Sequence, residues 1–351
     1  LIRATNWVGD AVMSLPAICA VRERYPAAEI VVLARPWVAD LYTREPAIDR
    51  VISYTLMRGL RDWTAKRRLA EKLRAECFDC AILLQNAFEA ALLVWMAGIP
   101  RRIGYARDGR AWLLTDAIRV PEPGDIPRHE RFYYLELLLR AGLADTLPAI
   151  EAIRLGGAAQ ARAAGIERFR LAGIPVPVVG VSPGAAYGSA KRWLPDRFAQ
   201  SAAALAMEHR AAVALFGSAG ERPLCESVAV MIETAGIAVR NFAGRTTLGE
   251  FIDLAAACRL FLTNDSGAMH IASAVGVPTV TVFGATDHTT TGPTGPWARI
   301  VREQVECSPC LLRECPIDHR CMTRVSAERV TAVARELWRE SESEWIPEAK
   351  S

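Results

Sequence analysis

Residues 259–287 read RLFLTNDSGAMHIASAVGVPTVTVFGATD. An apolar run, LFLT, breaks at Asn264-Asp265-Ser266-Gly267, passes through a short stretch of helical spacing, and continues into a second β-branched run, VPTVTVFG. Strand, glycine-bearing turn, helix and strand in that order make a βαβ unit of a parallel sheet. The turn falls at a strand's carboxyl end, where the first N–H groups of the helix lack intrahelical partners and its dipole is positive, which suits a phosphate or diphosphate. This stretch predicts a phosphorylated ligand.

The same alternation runs outward along the chain. LIRA at 1–4 precedes a helix over Ala11 to Tyr25, EIVVLA at 29–34 a helix near Leu60 to Cys77, and DCAILLQ follows at 79–85. The pattern blurs between Pro121 and Leu155, where Arg131 to Ala141 reads as a helix, and it restarts after Gly173-Ile174-Pro175-Val176-Pro177 with VVGVS. Helices over Pro195 to His209, Glu221 to Thr234 and Leu248 to Ala257 then alternate with AVALFG and AVRNFAG, and Thr247 with Glu250 forms a capping box. The expected fold is α/β with two Rossmann-like, doubly wound lobes, 1–160 and 161–325, and a boundary near residues 155 to 175. In 326–351, Ser326 is an N-cap before Val330, Val333, Ala334, Leu337 and Trp338 at helical spacing. That helix either braces the two lobes or docks on its own.

Composition narrows the class. The 351 residues carry 51% hydrophobic and 23% charged side chains, an ordinary soluble balance, and the longest apolar run, Ala90 to Ile99, is about half a membrane span. Net charge is +3, with the small basic excess in the first half, which gives no case for nucleic acid and a weak one for an anionic partner there. The chain starts at Leu1 inside what reads as a strand, so further residues are expected upstream. Cys19, Cys77, Cys80, Cys225 and Cys258 are scattered as buried thiols are in a reducing compartment, and a cytoplasmic protein is expected.

Candidate chemistry gathers at strand ends. The first turn, Thr5-Asn6-Trp7-Val8-Gly9-Asp10, lacks GxGxxG, which disfavours a nicotinamide enzyme, and it presents one carboxylate, Asp10, either as a functional acid or as a plain helix N-cap. In Ser182 to Trp193, the small residues Ala185, Ala186 and Gly188 let a ligand approach the backbone beside Tyr187, and Lys191 delivers a positive charge unless it is merely solvated. Asp265 reads as a ligand contact or the next helix's N-cap, His270 as a phosphate or ribose contact or a core histidine, and Ser266 with Gly267 contribute backbone geometry. No Asp-x-Asp occurs, so a sugar-nucleotide enzyme of this type would release its diphosphate without a bound divalent ion. Cys307, Cys310, Cys315 and Cys321, with His319 among them, have near-zinc spacing outside any standard register and are a minority candidate for a structural metal.

TNWVGDAVMSLPA at 5–17, LLQNAFEAALLVWMAGIPRRIGYARDGRAWLLT at 83–115, SPGAAYGSAKRWLPDRFA at 182–199, NDSGAMHIASAVGVPTVTVFGATD at 264–287 and CSPCLLRECPIDHRCM at 307–322 together resemble the heptosyltransferases of glycosyltransferase family 9. The resemblance implies a GT-B architecture, two lobes facing across a cleft, with the nucleotide-sugar on the second lobe and the acceptor on the first. It further implies inverting transfer of L-glycero-D-manno-heptose from ADP-heptose to the first heptose of the lipopolysaccharide inner core on Kdo-lipid A, with no cofactor. The enzyme would then be a monomer in the cytoplasm, peripheral at the inner membrane.

By the same resemblance Asp10 is the general base and Lys191 the phosphate contact. Asp265, Ser266, Gly267 and His270 form the donor turn, Thr246 meets the adenosine end, and Ala185 to Gly188 and Ser218 complete the donor set. Ala186 and Tyr187 stand where relatives carry threonines, so backbone N–H groups would replace hydroxyl donors. For the anionic acceptor the candidates are Asn6, Arg58 and Arg61, ahead of Lys66, Arg67, Arg101 and Arg102. A paralogue with a different heptose acceptor, a non-catalytic two-lobed binding protein and an NAD-linked oxidoreductase are the competing readings.

Overall fold

The computed structural model describes residues 1–56 and 62–342. The chain divides into two compact units, Leu1–Ile150 and Glu151–Ser351. The first holds strands β1 (Ile2–Arg3), β2 (Val31–Ala34), β3 (Arg50–Ser53), β4 (Cys80–Leu83), β5 (Arg101–Tyr105) and β6 (Asp116–Ile118). The second holds β7 (Val178–Ser182), β8 (Ala212–Leu215), β9 (Val239–Asn241), β10 (Leu260–Asn264), β11 (Thr279–Phe283) and β12 (Ala298–Arg302).

The described strands form two six-stranded sheets, ordered β3-β2-β1-β4-β5-β6 and β12-β11-β10-β7-β8-β9, and each recorded pairing is parallel. Each order reverses at one place, β1 beside β4 in the first sheet and β7 beside β10 in the second. In β1 and β4, Ile2 pairs with Ile82, and in β7 and β10, Val181 pairs with Leu262. Strands β2, β7, β10 and β11 are buried at every residue, including Ser182, Thr263, Asn264, Thr279 and Thr281, as a sheet covered by helices on both faces requires. Each unit has its own apolar core, centred on Leu33, Leu73, Leu83 and Val94 in the first and on Val181, Trp193, Leu262 and Val282 in the second.

The division falls between Ile150 and Glu151, ahead of the stretch where a boundary is expected from sequence. Residues from 153 onward are already tied into the second unit, through Ile153 N to Thr294 Oγ1 at 2.9 Å and Leu155 N to Ala274 O at 2.9 Å. Across 155–175 runs a helix, Ala158–Leu171, whose buried residues are Ala161, Gly165 and Phe169. So narrow and small-residued a stripe gives little apolar signal, yet it lets this helix sit against the Leu248–Ala256 helix, with Arg168 reaching Glu250 at 3.1 Å and Asp253 at 3.2 Å. The Gly- and Pro-bearing run after it joins that helix to β7.

The last described helix, Ala327–Glu340, starts where Ser326 accepts from Arg329 N and packs on the Pro195–His209 helix and on β11 and β12. Among the described residues no helix is long and apolar enough to cross a membrane.

Candidate functional site

In open α/β sheets ligands bind beyond the carboxyl ends of the strands where the strand order reverses. The second unit places there the loops that follow β7 and β10. Fully buried Asn264 clamps them together: its Oδ1 accepts from Trp193 N at 2.9 Å and its Nδ2 donates to Pro183 O at 2.8 Å. The next residue, Asp265, is also buried, and its Oδ2 takes Lys191 Nζ at 2.6 Å and the hydroxyl of Thr286. Lys191 lies 4.8 Å from the Tyr187 ring centroid, and Arg313 flanks the same ring at 5.1 Å. A lysine so held is not a solvated loop residue.

Asp265 is not a helix cap. The N-cap of the Gly267–Ala274 helix is Ser266, whose side chain makes no capping bond, while its Oγ stands 3.3 Å from Thr263 Oγ1. His270 is buried in the second turn of that helix. Ser218 spends its hydroxyl on Glu221 in a capping box, at 2.9 Å, and the Glu221 carboxylate also faces Gly184, where a side chain would collide with it. Thr246 directly precedes the capping Thr247 of the Leu248–Ala256 helix.

The loop bearing the four clustered cysteines buttresses this site. Tyr187 Oη donates to Leu311 O at 2.7 Å, Ala190 N to Arg313 O at 2.9 Å, and His319 Nε2 meets Ala190 O at 3.0 Å. Its other side is anchored near Thr286, by Ser308 Oγ to Gly284 O at 2.6 Å and Leu311 N to Ala285 O at 2.8 Å. Among the described residues no group of three or more His, Cys, Asp or Glu is placed to hold an ion, with Cys321 buried and Cys307 exposed. Burial first, and then the charges of Cys307, Cys310 and Cys315, push the Cys321 thiol up to about 11, which leaves it protonated.

In the first unit Asp10 is the third residue of the Val8–Arg24 helix, whose N-cap is Trp7, so the capping alternative is corrected there too. It borders a cavity of about 440 Å³ lined by residues that follow β1, β2 and β4, among them Asn6, Trp37, Gln85 and Asn86, and by Tyr134 of the Arg131–Arg140 helix. Asn6 accepts from Arg3 through Oδ1 at 3.1 Å and from Trp37 Nε1 through its carbonyl at 2.7 Å. Fully buried Arg110 holds two of these lining residues, donating to Gln85 O and to Asn86 Oδ1 at 3.2 Å as well as to Tyr105 O at 3.0 Å, and burial lowers its pKa to about 10. Burial, and next the charge of Asp10, raise the pKa of Glu130, which puts a second carboxyl group within electrostatic reach of the first.

Of the basic acceptor candidates, Arg58 and Arg61 lie outside the described residues. Lys66 is buried, 3.8 Å from Glu89, and Arg101 pairs with Asp116 at 2.9 Å. Arg102 donates to the carbonyls of Leu113 and Ile99, and Arg67 makes an exposed pair with Glu71. Sequence reasoning missed Asn264, Glu221, Thr286 and Arg110. Asn264 stood inside the quoted turn and Glu221 at capping spacing from Ser218, whereas nothing local marks Thr286 or Arg110.

Two doubly wound units in one chain, each with polar side chains at its strand-order reversal, define a two-unit α/β protein built to bind ligands at its strand ends. Residues 66–320 match the profile of glycosyltransferase family 9 (heptosyltransferase), and the chain belongs to that family. It is 33% identical over 308 residues to lipopolysaccharide heptosyltransferase 2 of Escherichia coli K12, covering 86% of this chain and 87% of that one. It is 34% identical over 309 residues to lipooligosaccharide heptosyltransferase 2 of Haemophilus influenzae, covering 86% and 88%. The solved structure of the E. coli ADP-heptose lps heptosyltransferase II superposes with a TM-score of 0.82 at 29% identity, over 97% of this chain and 98% of that one. The protein is a glycosyltransferase of the GT-B fold.

Proposed function

We propose that this enzyme moves L-glycero-D-manno-heptose from ADP-heptose, with inversion, onto the first heptose of a heptosyl-Kdo-lipid A acceptor. The observation that carries the reading is the Lys191–Asp265 pair beside an uncapped helix N-terminus in a chain whose relatives are named heptosyltransferase 2. In this reading the second unit takes the donor. Ala185 to Gly188 approach the diphosphate, amides of Ser266 and Gly267 donate to it, Thr246 and Ser218 lie toward the adenosine, and His270 lines the turn. One donor of the Lys191 ammonium is used by Asp265, and the remaining two serve the phosphate, so ADP leaves without help from a resident divalent ion. Asp265 orients the lysine.

The first unit takes the acceptor, with Asn6 beside its hydroxyl and Asp10 accepting the proton as that hydroxyl attacks the anomeric carbon. An acceptor anchored by acyl chains is met at a membrane surface, and an ADP-sugar in the cytoplasm, so the enzyme acts at the cytoplasmic face of the inner membrane. Steady-state kinetics of purified variants test the assignment. Asp10→Asn is expected to lower kcat by about 10² to 10⁴-fold with the donor KM kept, and Lys191→Ala to raise the donor KM and lower kcat together. Near-normal turnover of Asp10→Asn removes the base. Better transfer to an acceptor with no heptose or with two assigns a different step.

A further inference from the structure

The first unit buries more positive charge than proton removal uses. Arg35 follows β2 as the N-cap of the Pro36–Tyr42 helix and is 7% exposed. Its Nη1 donates to Leu56 O at 2.7 Å, its guanidinium lies 4.6 Å from the Tyr54 ring centroid, and its Nε has no hydrogen-bond partner. Arg3, 2% exposed, stands close by. It donates to the Ala4 and Leu33 carbonyls, to Asn6 and to Tyr54 Oη, and its Nε also has no partner. The charge of Arg35 adds to burial in holding the Arg3 pKa down, so the two cations oppose each other.

Both border a cavity of about 380 Å³ whose other walls include Tyr54, Gln85 and Glu89. Arg35, Asn6 and Gln85 line this cavity and the Asp10 cavity alike, so the two are neighbours. The opposing acids are Glu89, 3.8 Å from Lys66, and Asp10. Among the residues lining the two cavities Arg3 and Arg35 balance Glu89 and Asp10 in charge, and the fixed fork of guanidinium donors suits the paired oxygens of a carboxylate or a phosphate.

We propose that Arg35, backed by Arg3, binds an anionic group of the acceptor, a carboxylate or a phosphate ester, and thereby sets the acceptor hydroxyl beside Asp10. The proposal rests on the reading that the first unit takes the acceptor. It adds a specificity determinant outside the basic residues that sequence picks out.

The test uses the full-length enzyme, with two small probes and the acceptor. Trp7 and Trp37 are each 55% exposed at the rim, so their fluorescence reports occupancy. The methyl glycoside of Kdo supplies a carboxylate and glucosamine 1-phosphate a phosphate. At least one is expected to bind saturably, about tenfold or more weakly in Arg35→Gln and to an intermediate degree in Arg35→Lys, which keeps charge without the fork. Arg35→Gln is also expected to raise the acceptor KM about tenfold with the donor KM unchanged. The probe that responds identifies the anion. ADP must raise the melting midpoint of each variant as in the parent, and if Arg35→Gln fails to fold, Arg35→Lys alone decides. Unchanged probe affinity and acceptor KM overturn the anion site while leaving heptosyl transfer intact. Arg35-dependent probe binding by an enzyme that transfers heptose to no acceptor upholds the anion site and overturns the proposed function.

Discussion

Glu130 is a half-buried carboxyl group held near Asp10, and its energetics follow from that position. Burial and the Asp10 charge raise its pKa above the ordinary 4.5, so its ionised form is disfavoured by folding. The folded state therefore has its full advantage from this group below pH 4.5 and loses it as pH rises through the raised value. Glu130→Gln is expected to melt higher than the parent at pH 7.5 and level with it at pH 4, measured by calorimetry at both. Equal melting at both pH values removes the carboxylate coupling. At this scale the sequence marked Asp10, Lys191 and Asp265 as chemistry but not their partners: Lys191 and Asp265 are 74 residues apart, and only the fold closes them to 2.6 Å. Arg110 was illegible because a surface-loop arginine and one fully buried among carbonyls look alike in a single sequence.

A loop of backbone contacts, not a lone side chain, fixes the Lys191 region. Arg313 O accepts from Ala190 N, and Gly188 lies so close to that carbonyl that a Cβ there would collide with it. Gly188 has extended backbone, φ 164°, so the demand for glycine is one of space, not of dihedral angle. Gly188→Ala is expected to push apart the two loops, raising the donor KM several-fold and lowering stability by about 1–3 kcal/mol, read from initial rates and urea melts. A variant with parental donor KM would show that the buttress does not position Lys191. The cysteines drew attention to 307–321, but its contacts here come from carbonyls, a serine hydroxyl and His319. Elements with strong periodicity or caps emerged with near-identical bounds, as Pro195–His209 did, whereas the Ala158–Leu171 helix was missed because small residues make its contact.

Each unit carries a complete sheet and a separate core, so the second should stand alone. Residues 151–351 expressed by themselves are expected to unfold cooperatively, and ADP at a hundred times its Kd should add about 2.7 kcal/mol of stability. Loss of cooperative melting would show that the second core depends on the first. What the sequence determined by itself was local: strand-turn-helix alternation, two doubly wound units, and small or charged residues at strand ends, because periodicity and turn chemistry are written into neighbouring residues. The tertiary structure alone decided which strand ends adjoin, bringing Lys191 to Asp265, Arg110 to Gln85, and two buried arginines to one cavity. Those outcomes depend on strand order, and the order in which parallel strands assemble is set by packing across the whole sheet.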